Sequence, residues 1–359
     1  MSITATYASS LGRIKATVNS FLGREAIQSI LHARDVAEVA KMLEPTWYGP
    51  SIAQAMATYR GVEALEVGIN RKFVEVCRFA YAVAPFAGRP VVASYLKRWD
   101  LQNLALILSA KAYGRLVSET DSFLVSDRQT PASLAAGVLS LDELRGLLSL
   151  PSLEAVVQQL VRYGYGAVLL PLLDEFQKTH NMFPLLQALE RYYYGQVREA
   201  ARFFQGDEWV VRTFLAAEID AKNILATLKG RVADLRPEDL LGLLVEGGTL
   251  PPRVLADAMN LPSVEDVVNS LGSTYPVARG LDEYRSEKSL VGFDVALRRY
   301  LVESSMGRMR QYPLSLGGIF AFLLRAEAER SDLRQILYGK VYGWPEDRIG
   351  RDLCLWGAP

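Results

Sequence analysis

An all-α fold of three similar helical domains is what this sequence predicts, on three grounds. Strand signals are scarce: period-two alternation over five or more residues and Asn-Gly or Asp-Gly hairpins are nearly absent. One helical apolar face is written three times along the chain. A polar mark, set in apolar helical runs, also occurs three times.

The clearest copies of the apolar face are "LPSLEAVVQQL" at 150 to 160 and "LPSVEDVVNSL" at 261 to 271, which align without a gap. The register extends backwards, so that Gly137, Leu139 and Leu144 fall on Gly248, Leu250 and Leu255. "RDVAEVAKML" at 34 to 43 is a weaker third copy, with Val36, Val39, Ala40 and Leu43 in the places of Leu153, Val156, Val157 and Leu160 and of Val264, Val267, Val268 and Leu271. The spacing i, i+3, i+4, i+7 is one face of a helix. Asp35, Ser152 or Ser263 precedes each set and offers a side-chain oxygen to the orphan N–H groups of the first turn. An aromatic turn follows each: "TWYG" at 46, "YGYG" at 163 and "TYP" at 274. Longer helical stretches come next, beginning at 64, 184 and 295.

The polar mark closes each unit. "YLKRWDLQNLALILSAKAYG" at 95 to 114 carries Asp100, Asn103 and Lys111, and "FLAAEIDAKNILATLKGR" at 214 to 231 repeats the spacing with Asp220, Asn223 and Arg231. In "LLRAEAERSDLRQILYGKVYG" the same places hold Glu329, Asp332 and Lys340. Domain boundaries suit the polar or Pro-bearing segments at 118 to 133 and 232 to 240, giving repeats at 1–120, 121–236 and 237–359. Like units joined head to tail by heterologous contacts close when each turns by about a third of a circle, so a pseudo-threefold ring or funnel is expected.

Paired acidic groups could work as acid and base or hold Mg2+. A packing device is the alternative: an acid and an amide one turn apart that hydrogen-bond a neighbouring helix and fix how the helices meet. Repetition favours packing, because an active site is seldom copied three times, and no nucleophile–base pair accompanies any copy. The nine marked residues are therefore expected to be structural or interface positions, with no catalytic, cofactor or metal site.

Composition narrows the partners. Forty basic residues balance forty acidic ones, which removes the positive field most nucleic-acid binders use. Cys77 and Cys354 have no second thiol at metal or redox spacing, and His32 and His180 stand alone. The start lacks an export signal, and the longest apolar runs fall short of the 18 to 20 or so residues that span a bilayer. "GGTLPP" at 247 to 252 reads as a turn, lacking the ending of a phosphate loop. The arginines of 298 to 310 read as a solvated face, with anionic lipid or an acidic partner as the functional alternative. Tyr192, Tyr193 and Tyr194 go around more than half a turn, so at least one ring is expected at a surface.

Taken together, these residues resemble a family: the central-stalk connector of archaeal and bacterial V/A-type ATPases, known in prokaryotes as their C subunit and related to the d subunit of the eukaryotic vacuolar enzyme. The resemblance covers essentially the whole chain. It is carried by Tyr7 and Arg13, "LEPTWYG", "RWDLQNLALILSAKAYG", "EIDAKNILATLKGR", "VEGGTLPPRVLADA" and "GIFAFLLRAEAERSDLRQILYGKVYGWPEDRI", in that order. It departs at Leu11, where the family often has a second basic residue, and at Glu329 and Asp332. The resemblance implies a non-catalytic helical funnel on the cytoplasmic face of the membrane. There it would be seated on the rotor ring of proteolipid subunits, would receive the rotary shaft and would pass torque between them; its membrane contact would be indirect. A helical-repeat scaffold of another complex and an all-α enzyme are the alternatives at this point, although the enzyme would need convergent titratable groups that the sequence does not display.

Overall fold

A computed structural model describes residues 3–114, 126–127, 130–131, 136–202 and 208–355, with the backbone alone for 3–6, 126–127 and 130–131. The described residues are helical almost throughout, apart from a two-residue antiparallel bridge between Ser126–Asp127 and Thr130–Pro131. The expected boundary at 118–133 falls mostly outside the described residues. The segment 232–240 contains a helix break, between Trp209–Val232 and Pro237–Leu243.

The three capped helices form as the spacing predicts. Val36–Leu43, Leu153–Leu160 and Val264–Leu271 each have eight residues, and Asp35, Ser152 and Ser263 accept from Glu38, Ala155 and Asp266 N–H respectively. Each such cap is worth about 1 kcal/mol. The second and third copies bury all four apolar positions, whereas the first buries only Val39 and Leu43, consistent with its weaker match. The long helices follow in pairs: Gly61–Val83 and Arg89–Ala112, Phe183–Ala201 and Trp209–Val232, Val291–Gln311 and Leu316–Val341.

By packing, the chain divides into two compact units. One is Gly12–Ala200 with Lys340–Gly343; the other is Met1–Leu11 with Ala201–Gly339 and Trp344–Pro359. In the first, Leu104, Ile107 and Leu108 of the Asp100 helix meet Val156, Val157 and Leu160 in one core. In the second, Ile224 and Leu228 of the Asp220 helix meet Val267, Val268 and Leu271 in the same way. The apolar face of the capped helix and the apolar positions beside the polar mark are thus two sides of one contact. Among the described residues no helix is long and apolar enough to cross a membrane.

Candidate functional site

The sequence-marked carboxylates lie inside the helical packing. Asp100 and Asp220 have no exposed surface, and Asn103, Asn223, Glu329 and Asp332 are buried as well. A buried carboxylate is costly unless donors surround it, and the structure supplies them from the segment that follows. Asp100 accepts from Val138 N–H at 2.9 Å, from Leu139 N–H at 3.1 Å and from the Tyr165 hydroxyl at 3.1 Å. Asp220 accepts from Thr249 N–H and Leu250 N–H, both at 2.9 Å, from the Tyr275 hydroxyl at 2.7 Å and from the Thr249 hydroxyl. Each aspartate therefore clamps two consecutive backbone N–H groups and a tyrosine.

Three features of the sequence meet at each clamp. Gly137 and Gly248, matched in the repeat, lie so close that a Cβ would sit 2.1 Å from the Oδ1 of Asp100 or Asp220. Tyr165 and Tyr275 are the aromatic turns. "GGTLPP" is a turn, as expected, whose backbone N–H groups face Asp220. Sequence reasoning had all three parts without their connection; the shared order of Asp, Gly and Tyr in the two copies was the signal that could have joined them.

The second polar position works differently in the second and third copies. Asn223 donates its amide N–H to Val245 C=O and accepts from Val245 N–H, both at 2.8 Å. Asp332, in the corresponding place, accepts from Cys354 N–H at 2.6 Å and Leu355 N–H at 2.8 Å. The basic residues reach carbonyls at the ends of neighbouring segments: Lys111 donates to Leu148 C=O at 2.6 Å and Arg231 to Pro262 C=O at 3.0 Å. Lys340 lies half-buried at the end of its helix, and the Glu329 carboxylate is 3.9 Å from Arg325.

Burial sets the electrostatics. It pushes the Asp100 carboxyl up to about 6, against the pull of Val138 and Leu139 N–H, Tyr165 and the Lys97 charge. Burial likewise raises Asp332 to about 6, opposed by Cys354 and Leu355 N–H, Arg298 and Arg299. The Cys354 thiol is pushed up to about 12 by burial and by the Asp332 charge, so it is not a reactive thiolate. Tyr165 and Tyr275 are raised by burial and by the carboxylates they serve, and remain protonated donors.

Two contributors escaped sequence reasoning. Glu208, buried, accepts from Leu316 N–H at 2.9 Å and from the Tyr7 hydroxyl at 2.5 Å, holding the start of the Asp332 helix. Arg299 donates to Arg351 C=O at 2.7 Å and Leu353 C=O at 2.8 Å. The solvated-face reading of the 298–310 arginines thus fails at Arg299 and holds for the exposed Arg308 and Arg310. Of the three tyrosines, Tyr193 donates to Tyr95 C=O and is buried, Tyr194 is buried, and Tyr192 is half-buried against the Tyr165 ring. Among the described residues, no three or more His, Cys, Asp or Glu side chains are grouped to hold a metal ion. The clamp carboxylates are buried and engaged by backbone N–H and tyrosine O–H donors.

Comparison with known proteins decides the family. A profile described as ATP synthase (C/AC39) subunit matches residues 11–351. The chain belongs to that family. It is 31% identical to the C subunit of the A-type ATP synthase of Thermoplasma volcanium over 99% of both chains. It is 32% identical to the protein of that name from Thermoplasma acidophilum over 96% of both. For the A-type ATP synthase C subunit of Methanocaldococcus jannaschii the identity is 24%, over 96% of this chain and 85% of the relative. The clamps are therefore features of a chain of the ATP synthase (C/AC39) subunit family.

Proposed function

We propose that this chain is the non-catalytic central-stalk connector of a rotary A/V-type ATPase. It links the membrane rotor ring to the rotary shaft and transmits torque between ion movement and ATP synthesis or hydrolysis. Membership of the ATP synthase (C/AC39) subunit family over nearly the whole chain carries the reading. The clamps support it, because torque transfer needs a stiff body whose packed elements do not slip. Each clamp ties a backbone segment to the long helix before it through buried, charge-assisted hydrogen bonds. On this proposal the nine marked residues hold the three repeats together, and the protein sits at the cytoplasmic face of the membrane, touching it only through the ring.

The test is to tag the chain in its native cell, solubilise membranes gently and identify what co-purifies. The expected result is joint recovery of the catalytic head, the shaft subunits and the small ring proteins. Recovery of the tagged chain alone, or with an unrelated set of partners, overturns the proposal.

A further inference from the structure

Within the unit Gly12–Ala200, a half-open cavity of about 460 Å³ lies between the helices Gly61–Val83 and Arg89–Ala112 and the turn at 136–140. Its volume is in the range of pockets that accept a ligand or an anchoring side chain. Arg78, Tyr81, Leu96, Val138 and Leu139 are among its walls. Two of these present apolar surface outward: Tyr81 is 42% exposed and Val138 53%. The nearby helix connection adds Phe86, which is 88% exposed.

Arg78 is the charged side chain among the residues that line the cavity. The chain as a whole is balanced, yet from 76 to 99 it contains Arg78, Arg89, Lys97 and Arg98 and no acidic residue, and none occurs from 132 to 141. Arg89 lies over the Tyr81 ring at 5.9 Å, and Arg13 lies over the Phe79 ring at 5.6 Å. Asp100, the carboxylate that meets this turn, is engaged by Val138 and Leu139 N–H. Among the described residues Arg78, exposed at the cavity wall, has no hydrogen-bond or ion-pair partner.

We infer that this cavity is a docking socket for another protein of the assembly, taking an apolar side chain from a segment flanked by Asp or Glu, with Arg78 reading the acidic flank. This rests on the reading of the chain as one part of a larger machine. Tyr and Arg beside an apolar recess are the residue types that dominate protein interfaces, and opposite charge at the rim steers encounter and fixes register. A phosphate or lipid headgroup fits less well, since such sites converge several donors on one anion. Here the N–H groups of 138 and 139 are taken by Asp100, and Ser140 is closed in a capping box with Glu143.

Two experiments test the socket. In the first, a photo-crosslinking residue, p-benzoyl-phenylalanine, replaces exposed Val138 in the assembled, purified ATPase, and the crosslinked peptide is sequenced. A crosslink to an acid-flanked apolar residue of another protein of the assembly, weakened by Arg78→Glu, supports the inference. A crosslink to lipid, to residues 118–131 of the same chain or to a neutral or basic segment overturns it, as does no crosslink in an intact assembly. In the second, the isolated chain is titrated with a fluorescent helical peptide bearing one Phe between glutamates, and with the same peptide bearing glutamines. The acidic peptide is expected to bind at least about fivefold tighter, and to lose that margin with Arg78→Glu or in about 1 M salt, where charges are screened beyond about 3 Å. Equal binding of both peptides, or preference for anionic phospholipid vesicles, overturns the socket while leaving the connector proposal to the co-purification test.

Discussion

The helices Trp209–Val232 and Leu316–Val341 hold the chain 22 residues further on from the same helical position, and they do it with different chemistry. Asn223 can both donate and accept, and its amide matches the C=O and N–H of the single residue Val245. Asp332 offers acceptors only, and the backbone answers by presenting two N–H groups, from Cys354 and Leu355. The amide clasp buries no charge. The carboxylate clasp does, and it stands beside Arg298 and Arg299, whose charges favour its ionised form. What the repeat preserves is the place from which a segment is held; the donors and acceptors at that place follow whatever backbone arrives.

The largest effect should come from removing a carboxylate with several dependants. Asp220→Ala leaves Thr249 N–H, Leu250 N–H and the Tyr275 hydroxyl without their acceptor, and each buried orphan costs about 1–3 kcal/mol. Urea denaturation should show a loss of about 3–5 kcal/mol, with Asp100→Ala similar. Asn223→Ala orphans only the two groups of Val245 and should cost about 2 kcal/mol. Equal losses at Asn223 and Asp220 would break the distinction between amide and carboxylate clasps. Unchanged stability in Asp220→Ala with lost ATP-driven rotation would instead make that residue a contact to a partner.

Next comes the glycine on which each aspartate closes. A Cβ at Gly248 or Gly137 would lie 2.1 Å from a carboxylate oxygen that is already held by backbone N–H, so the clamp must open. Gly248→Ala and Gly137→Ala should each destabilise by about 2 kcal/mol. Gly307→Ala is the control: it lies inside the helix Val291–Gln311 with open space at its Cβ, and should gain about 0.5–1 kcal/mol. Thermal melts of the three variants separate a steric requirement from a general intolerance to substitution.

These effects show what could and could not be read from the chain. The three capped helices and the paired long helices were legible because helical burial leaves a period of 3.6 in the apolar residues, and capping leaves Ser or Asp at a fixed place. Asp100, Asn103, Asp220 and Asn223 were legible as interruptions of an apolar face. Glu208 and Arg299 were not, because their partners lie 108 and more than 50 residues away and a polar residue on a helix carries no periodic trace of what it meets. The first repeat was faint for a physical reason: its capped helix buries two of four apolar positions, so half of its face is under little packing constraint.

A smaller effect sharpens the comparison through pH. Asp100 and Asp332 have carboxyls raised from 3.8 to about 6, so between those values the folded chain binds protons that the unfolded chain has released. Their contribution to stability is therefore full below about pH 4 and lost as pH rises through about 6. A shift of about two units corresponds to about 3 kcal/mol per group at most. Asp332→Asn, which places the amide of Asn223 in the third copy, should remove its share. The stability of the parent relative to this variant should then fall by up to about 3 kcal/mol between about pH 4 and pH 7. A difference that stays constant over that range would mean that the N–H groups and Arg298 and Arg299 cancel the cost of burial.

The smallest effect concerns how two short helices end. Leu173–Thr179 and Leu281–Glu287 both stop on a left-handed residue that carries a side chain, His180 at φ 51° and Lys288 at φ 55°. In each, the cap N–H still bonds back into the helix, to Phe176 or Tyr284 C=O, so the conformation is imposed by the turn. A side chain there costs about 1 kcal/mol that glycine avoids. The two positions differ in what the side chain returns: Lys288 places its ammonium over the Tyr284 ring at 5.1 Å, whereas His180 meets Phe176 edge-on at 6.0 Å. A cation over a tyrosine at an exposed site is worth about 0.5–1 kcal/mol, enough to offset much of the strain. His180→Gly should therefore stabilise by about 0.5 kcal/mol and Lys288→Gly should be near neutral. Equal gains at both positions in paired chemical denaturation would show that the Lys288–Tyr284 contact contributes nothing.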